Sequence, residues 1–391
     1  MKKILFVINS LGLGGAEKSL TSLLSTLDFS KYSVDLLMFR QEGMFLELLP
    51  KEVNILDVPA FLRSNNSLSV QLRTPEFLAA RIRASIALKK NNKTKQLHPA
   101  QCYWKQTHKY FESLKKRYDV AIAWGQGNPT HYVAEKVNAD KRIAVINVNY
   151  EGAGHNKDFD LPFYQKYQNI LTVSDDLEKM TYAVFPSLKD RISTLYDITN
   201  AELIQKLAQE DVPFPKKAEQ LYLVTVGRLA HQKGYDLAVD AAKVLKEKGI
   251  DFRWFFVGEG VARADIESKI SVFNLGEQIF LTGAKDNPYT YINYSDIYVQ
   301  TSRFEGYCLT LSEARILNKP IVSTNFDVVH NQLTNEINGL IVEMNGKSIA
   351  DGILRLRQDN KLKDKLIDNL KKEKKGNTEE IQKLYEIIEG Y

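Results

Sequence analysis

Leu-Tyr-Leu-Val-Thr-Val-Gly-Arg-Leu-Ala-His-Gln-Lys-Gly, residues 221–234, decides how this chain folds. Leu221–Val226 is an unbroken run of apolar and β-branched residues, the pattern of a strand buried on both faces. Gly227-Arg228-Leu229 turns the chain, and a helical pattern follows Gln232-Lys233-Gly234. The same rhythm recurs outward in both directions. Upstream it appears at Ile4–Ile8, Val34–Phe39, Val120–Ala123, Ile143–Val148 and Ile170–Val173; downstream at Trp254–Val257, Ile279–Leu281, Ile297–Gln300 and Pro320–Ser323. Strand alternating with helix gives a parallel sheet covered on both faces, with right-handed crossovers. The expectation is an α/β chain of two Rossmann-like domains, with a boundary near Leu195–Asn200 and a Pro-punctuated connector at Val212–Pro215.

Length and composition agree. At 391 residues the chain suits two domains, and 44% hydrophobic with 26% charged residues is the balance of a globular protein. Two cysteines, Cys102 and Cys308, exclude a disulfide framework and point to a reducing compartment. The net charge of +5 is unevenly spread: residues 71–117 hold twelve Lys/Arg against Glu76 and Glu112, so the remainder of the chain is net acidic. These cations sit in a long insertion, residues 62–117, which breaks the strand rhythm; Phe77–Lys90 within it reads as a helix. No apolar run approaches the ~20 residues of a membrane span. Ile4–Ile8 is too short for a secretory signal, so a cytoplasmic protein is expected.

Gly12-Leu13-Gly14-Gly15 follows a strand and opens a helix, where backbone N–H groups favour an anion. Glu17 stands where a dinucleotide fingerprint needs glycine, which argues for a phosphate or sugar and against a nicotinamide cofactor. Gly346-Lys347-Ser348 resembles a P-loop ending, but Gly339 is wrongly spaced, so a helix start is expected. Asp158-Phe159-Asp160 reads as an exposed polar loop rather than a cation site.

The stronger signal lies beyond residue 220. Arg228 and Lys233 fall just past the C-terminal end of a parallel strand, where open α/β sheets bind ligands, and two cations there suit a diphosphate. In Ser302-Arg-Phe-Glu305-Gly306-Tyr307-Cys308-Leu309-Thr-Leu-Ser-Glu313, Glu305 follows a strand and Gly306 turns the chain. A helix then begins near Leu309 and offers free N–H groups to phosphate. Glu313, one turn on, suits a vicinal diol because a carboxylate accepts two hydroxyl hydrogen bonds. Together these residues describe a site for a sugar nucleotide.

The chain at this point resembles the GT-B glycosyltransferases, specifically the retaining glycosyltransferase family 4. Gly14-Gly15, Val226-Gly-Arg228-Leu with Lys233-Gly234, Val257-Gly258-Glu259-Gly260 and the Glu-x7-Glu pair Glu305 and Glu313 carry the resemblance. It implies an acceptor-binding domain over residues 1–197 and a donor-binding domain over 198–376, facing across a cleft, with residues 377–391 returning to the first. It also implies that Arg228 and Lys233 hold the diphosphate, Glu305 contacts the donor sugar, and Glu313 holds the ribose. Gly258, Glu259, Gly283, Gly306, Tyr307, Cys308 and Leu309 are expected around the donor, and Gly14-Gly15 along the cleft. The implied reaction retains anomeric configuration and needs no metal or other cofactor. A uridine diphosphate sugar is the expected donor, and a glycan, lipid-linked or protein-linked molecule in bacterial polysaccharide or glycoprotein assembly the expected acceptor.

One departure falls on the acceptor side. Relatives have a histidine where this chain has Asn147, and His155 is the nearby loop residue able to take over sugar contact. That substitution also leaves a non-catalytic partner of another glycosyltransferase as the alternative. The basic stretch 71–117, with Phe77, Leu78, Ile82, Ile86 and Leu88, suits peripheral contact with an anionic membrane as well as a solvated insertion. No nucleic-acid partner is expected.

Overall fold

The computed structural model describes residues 1–12, 14–63, 75–210, 215–305 and 307–390. The chain forms two compact units, Met1–Ile198 with Thr378–Tyr391, and Thr199–Asn377.

The first unit holds an all-parallel seven-stranded sheet of order β3-β2-β1-β4-β5-β6-β7. Its strands are β1 (Lys2–Ile8), β2 (Tyr32–Met38), β3 (Asn54–Leu56), β4 (Arg117–Trp124), β5 (Asn138–Ile146), β6 (Asn169–Thr172) and β7 (Ile192–Thr194). The helices that matter to the argument are α1 (Gly15–Thr26), α2 (Pro75–Thr94), α3 (Pro99–Thr107), α4 (Asn128–Lys136) and α5 (Lys157–Tyr164). Ile4, Leu5, Phe6 and Val7 of β1 are all fully buried, as expected for a strand covered on both faces. The strand order reverses between β1 and β4, so the loops after these two strands diverge and leave a crevice.

The second unit repeats the plan with six parallel strands in the order β10-β9-β8-β11-β12-β13. They are β8 (Leu221–Val226), β9 (Phe252–Val257), β10 (Ile279–Gly283), β11 (Ile297–Gln300), β12 (Ile321–Thr324) and β13 (Leu340–Val342). Here α6 (Tyr235–Glu247) follows β8 and α7 (Leu309–Ile316) follows β11. The order reverses between β8 and β11. Gly346-Lys347-Ser348 is a helix start, capped by the Asn345 side chain accepting from Ser348 N.

Helix α8 (Ile381–Glu389) belongs to the first unit. Its Ile381, Leu384 and Ile388 join the cluster of Ile4, Phe6 and Leu20, and Tyr385 stacks on Tyr32 with ring centroids 5.1 Å apart. The Tyr385 hydroxyl accepts from Asp28 N (2.8 Å), and Lys2 pairs with Glu389 at 2.7 Å.

Three strands escape the pattern reading: β3, β7 and β13, each of three residues and too short to show a period. Helix α2 also runs longer than Phe77–Lys90, because Pro75 pre-sets the first helical turn. Residues 71–74 of the basic stretch, and part of the connector 212–215, lie outside the described residues.

Candidate active site

Three strand ends in the second unit are stitched side by side. Gly227 N donates to Val257 O (3.0 Å), Gly258 N to Gly283 O (3.0 Å) and Leu229 N to Glu259 O (2.9 Å). The approach is close enough that a Cβ on Gly258 would stand 1.9 Å from the Gly227 carbonyl oxygen, so only glycine fits. Gly234 is fixed twice over: its φ is +64°, and a Cβ would meet Thr301 O at 2.0 Å. This brings the β8 loop against the end of β11 and carries Lys233 across the switch point.

There Lys233 meets Glu305. The ammonium donates to both carboxylate oxygens, at 2.7 and 3.0 Å, with the Lys233 side chain 17% and the Glu305 side chain 6% exposed. Burial works against the Lys233 charge, but the Glu305 carboxylate outweighs it and holds the amine above its ordinary range. Glu305 is steadied from below: Ser302 Oγ donates to it, Gln300 Nε2 lies at 3.3 Å, and Tyr298 hydroxyl donates to Gln300 Oε1 at 2.5 Å. Arg228 is exposed, makes no hydrogen bond or ion pair among the described residues, and lies near enough to weaken the Lys233 charge. The site therefore presents one internally neutralised pair and one open guanidinium, rather than two open cations.

Cys308 stands just before α7 in the left-handed conformation (φ +69°), which is costly for a residue with a Cβ. Its thiol is buried, and burial with the Glu305 charge pushes its pKa far up, so it is an inert packed group. Tyr307 is half-buried, and Leu309 opens α7, whose first N–H groups lack intrahelical acceptors. Gly306 lies outside the described residues. Glu313 is buried, and Tyr289 hydroxyl donates to its Oε1 at 3.2 Å. Glu259 is exposed, pairs with Arg263, and has its Oε1 beside Gly283.

In the first unit, Gly14 is the residue before α1, and Glu17 folds back over it: a Cβ on Gly14 would meet Glu17 Oε2 at 1.9 Å. Burial raises the Glu17 pKa, partly offset by its own backbone N–H. The chain's own carboxylate thus sits against the helix start next to Gly14-Gly15. Asn147 follows β5, and its side-chain nitrogen and oxygen are buried without a partner among the described residues.

The Asp158–Asp160 expectation is corrected here. Asp160 is no exposed loop residue: it lies inside α5 with its side chain 1% exposed. His131 Nε2 of α4 donates to Asp160 Oδ1 (2.7 Å), Tyr150 hydroxyl donates to Oδ2, and His155 Nδ1 lies 3.7 Å from Oδ2. Burial disfavours the Asp160 charge, but His131 and His155 outweigh it and hold the carboxyl below its ordinary range. His155 is likewise packed rather than loose. Its ring stacks on His98 at 3.9 Å, and burial together with His155 lowers the His98 pKa to about 4. Asp160, His131 and Tyr150 were missed as a group because nothing in their spacing signals that they meet.

Comparison with known proteins fits this geometry. Residues 208–373 match the family model described as glycosyl transferases group 1. An uncharacterized glycosyltransferase of Methanocaldococcus jannaschii is 24% identical over 209 residues, 52% of this chain and 48% of that protein. The chain thus spans about half the length of that relative. The N-acetylgalactosamine-N,N'-diacetylbacillosaminyl-diphospho-undecaprenol 4-alpha-N-acetylgalactosaminyltransferase of Campylobacter jejuni is 28% identical, covering 93% of this chain and 92% of that protein. The crystal structure of Anabaena Alr3699/HepE in complex with UDP and glucose aligns over 100% of both chains, with a TM-score of 0.69 at 14% identity. Residues 208–373, within the second unit, thus match a glycosyl transferases group 1 domain, and the chain has the fold of two Rossmann-like units, the GT-B type.

Proposed function

We propose that the chain transfers a hexose from a uridine diphosphate sugar to a glycan, lipid-linked or protein-linked acceptor in bacterial polysaccharide or glycoprotein assembly. In this reading the anomeric configuration is retained and no metal takes part. The observation that carries it is the Lys233–Glu305 pair at the β8/β11 switch point with the open Arg228 guanidinium beside it. The bond from the anomeric carbon to the diphosphate oxygen breaks while the acceptor oxygen attacks the same face. The acceptor proton passes to the departing phosphate. Arg228 meets the growing negative charge directly, and Lys233 turns toward the diphosphate as Glu305 engages the donor sugar. The α7 N–H groups at Leu309 add dipole stabilisation, and Glu313 receives the ribose hydroxyls. Gly258, Glu259, Gly283, Tyr307 and Cys308 shape the walls of the donor site. Asn147 and His155 of the first unit serve the acceptor.

Ligand-observed NMR with a panel of sugar nucleotides tests this, run on wild type and Glu313→Ala with and without a chelator. One uridine diphosphate sugar is expected to bind the wild type, and Glu313→Ala to weaken it about ten-fold or more, as for a lost hydrogen bond to a charged group. Chelation is expected to change nothing. Equal binding of the donor by both proteins would remove Glu313 from the site, and an inverted product anomer would overturn retention.

A further inference from the structure

Helix α2 turns one face inward and leaves the other bare. Ala80 and Ala84 are buried, and Phe77 packs edge-on against Phe61 at 5.2 Å. On the other side Ile82 and Ile86 are 52% and 62% exposed, among the large apolar side chains that the described residues leave open. Helical geometry puts Ile82, Ile86, Lys89, Lys90, Lys93 and Arg83 within an arc of about 120°. All six are exposed. No acidic residue occurs anywhere from Phe77 to Phe111. A solvated face has no use for two open isoleucines flanked by cations of one sign, whereas an anionic lipid surface matches both: headgroups meet the cations, and the apolar tips enter the acyl boundary.

The face is also held rigidly. Asn91 closes the turn after α2, with its Nδ2 donating to Leu97 O (2.6 Å) and its Oδ1 accepting from Leu97 N (3.0 Å). His98 caps α3, and Gln101 of α3 clasps Asn156 in both directions, at 2.8 and 3.0 Å. With the His98–His155 stack, this ties the α2–α3 hairpin to the loop that carries His155.

The geometry points to the Ile82–Lys93 face of α2 as a seat on an anionic bilayer, holding the His155 loop at a fixed offset from the membrane plane. This deepens the proposed function, since it selects a lipid-linked acceptor presented at that surface.

The test is co-sedimentation of the full chain with phosphatidylcholine vesicles, with and without phosphatidylglycerol, alongside donor binding on the same preparations. Wild type is expected on the anionic vesicles and not on the neutral ones. Lys89→Glu/Lys90→Glu/Lys93→Glu is expected to weaken association about a hundred-fold, at roughly five-fold per lysine removed from the surface. Ile82→Ser/Ile86→Ser is expected to come off at an ionic strength that wild type withstands. All six positions are exposed, so folding is checked simply by an unchanged melting curve. Equal binding to both vesicle types, an unaffected lysine variant, or tighter binding to an RNA oligomer than to the vesicles would overturn the assignment. Vesicle binding without any donor binding would instead remove the donor reading and leave this surface standing.

Discussion

Arg228→Ala and Lys233→Ala are expected to lose turnover alike and to differ in stability. In the proposed reaction each variant removes one positive charge from where the diphosphate leaves, and a preorganised group of this kind contributes about 10²–10³ in kcat. Arg228 is exposed and makes no protein hydrogen bond among the described residues, so its removal leaves the fold untouched. Lys233 is different. Taking it away strands Glu305, whose side chain is only 6% exposed, with Ser302 and Gln300 as its remaining donors. Breaking a buried pair costs about 3–5 kcal/mol, and the two surviving donors place this case near the lower end. Release of nucleoside diphosphate, read beside denaturant unfolding, separates the two variants. Full turnover in Arg228→Ala would remove the guanidinium from the reaction, and an unshifted unfolding midpoint in Lys233→Ala would mean the pair contributes nothing to the fold.

The second large effect belongs to Asp160→Ala. It leaves the buried His131 Nε2 without its acceptor and the Tyr150 hydroxyl with only the Asn156 carbonyl at 3.4 Å, and about 3 kcal/mol of stability should go with it. Asp160→Asn keeps the shape and should lose less. The pH dependence has a definite sign. The folded pKa of Asp160 lies below its unfolded value of about 3.9, so its contribution is present above that pH and is lost as pH falls through the folded value. Chemical unfolding of wild type and Asp160→Asn should show a constant gap from neutral to mildly acid pH, narrowing only below about pH 4. A gap that closes between neutrality and pH 5 would overturn this assignment, because a carboxyl held below its ordinary range does not titrate there.

The two halves of this result were unequally visible in the residue order. The buried strand of residues 221–226 and the glycines after it announce their geometry locally, because a strand covered on both faces and a backbone approach that admits no Cβ each restrict the residue types at single positions. The meeting of Lys233 with Glu305 is a different matter. They lie 72 residues apart and touch because β11 returns beside β8, a fact of strand order that no local pattern carries. Reading them as separate ligands for phosphate and sugar therefore overlooked that each is the other's counter-ion. The Asp160 group was hidden more fully. The two acidic residues that flank Phe159 look solvent-facing by composition, and only the packing of α4, α5 and the Tyr150–His155 loop turns one of them inward.

Helix α8 gives the first unit a peculiarity in its order of synthesis. The apolar surface around Ile4, Phe6 and Leu20 is made before the second unit, yet Ile381, Leu384 and Ile388, which close it, arrive only after all of the second unit has been translated. While the ribosome works through residues 199–377, the first unit waits with an open greasy seam and the second completes its own core. Such a chain invites holding by a chaperone during synthesis, and one stopped before Thr378 should leave the first unit unable to mature, however sound the second.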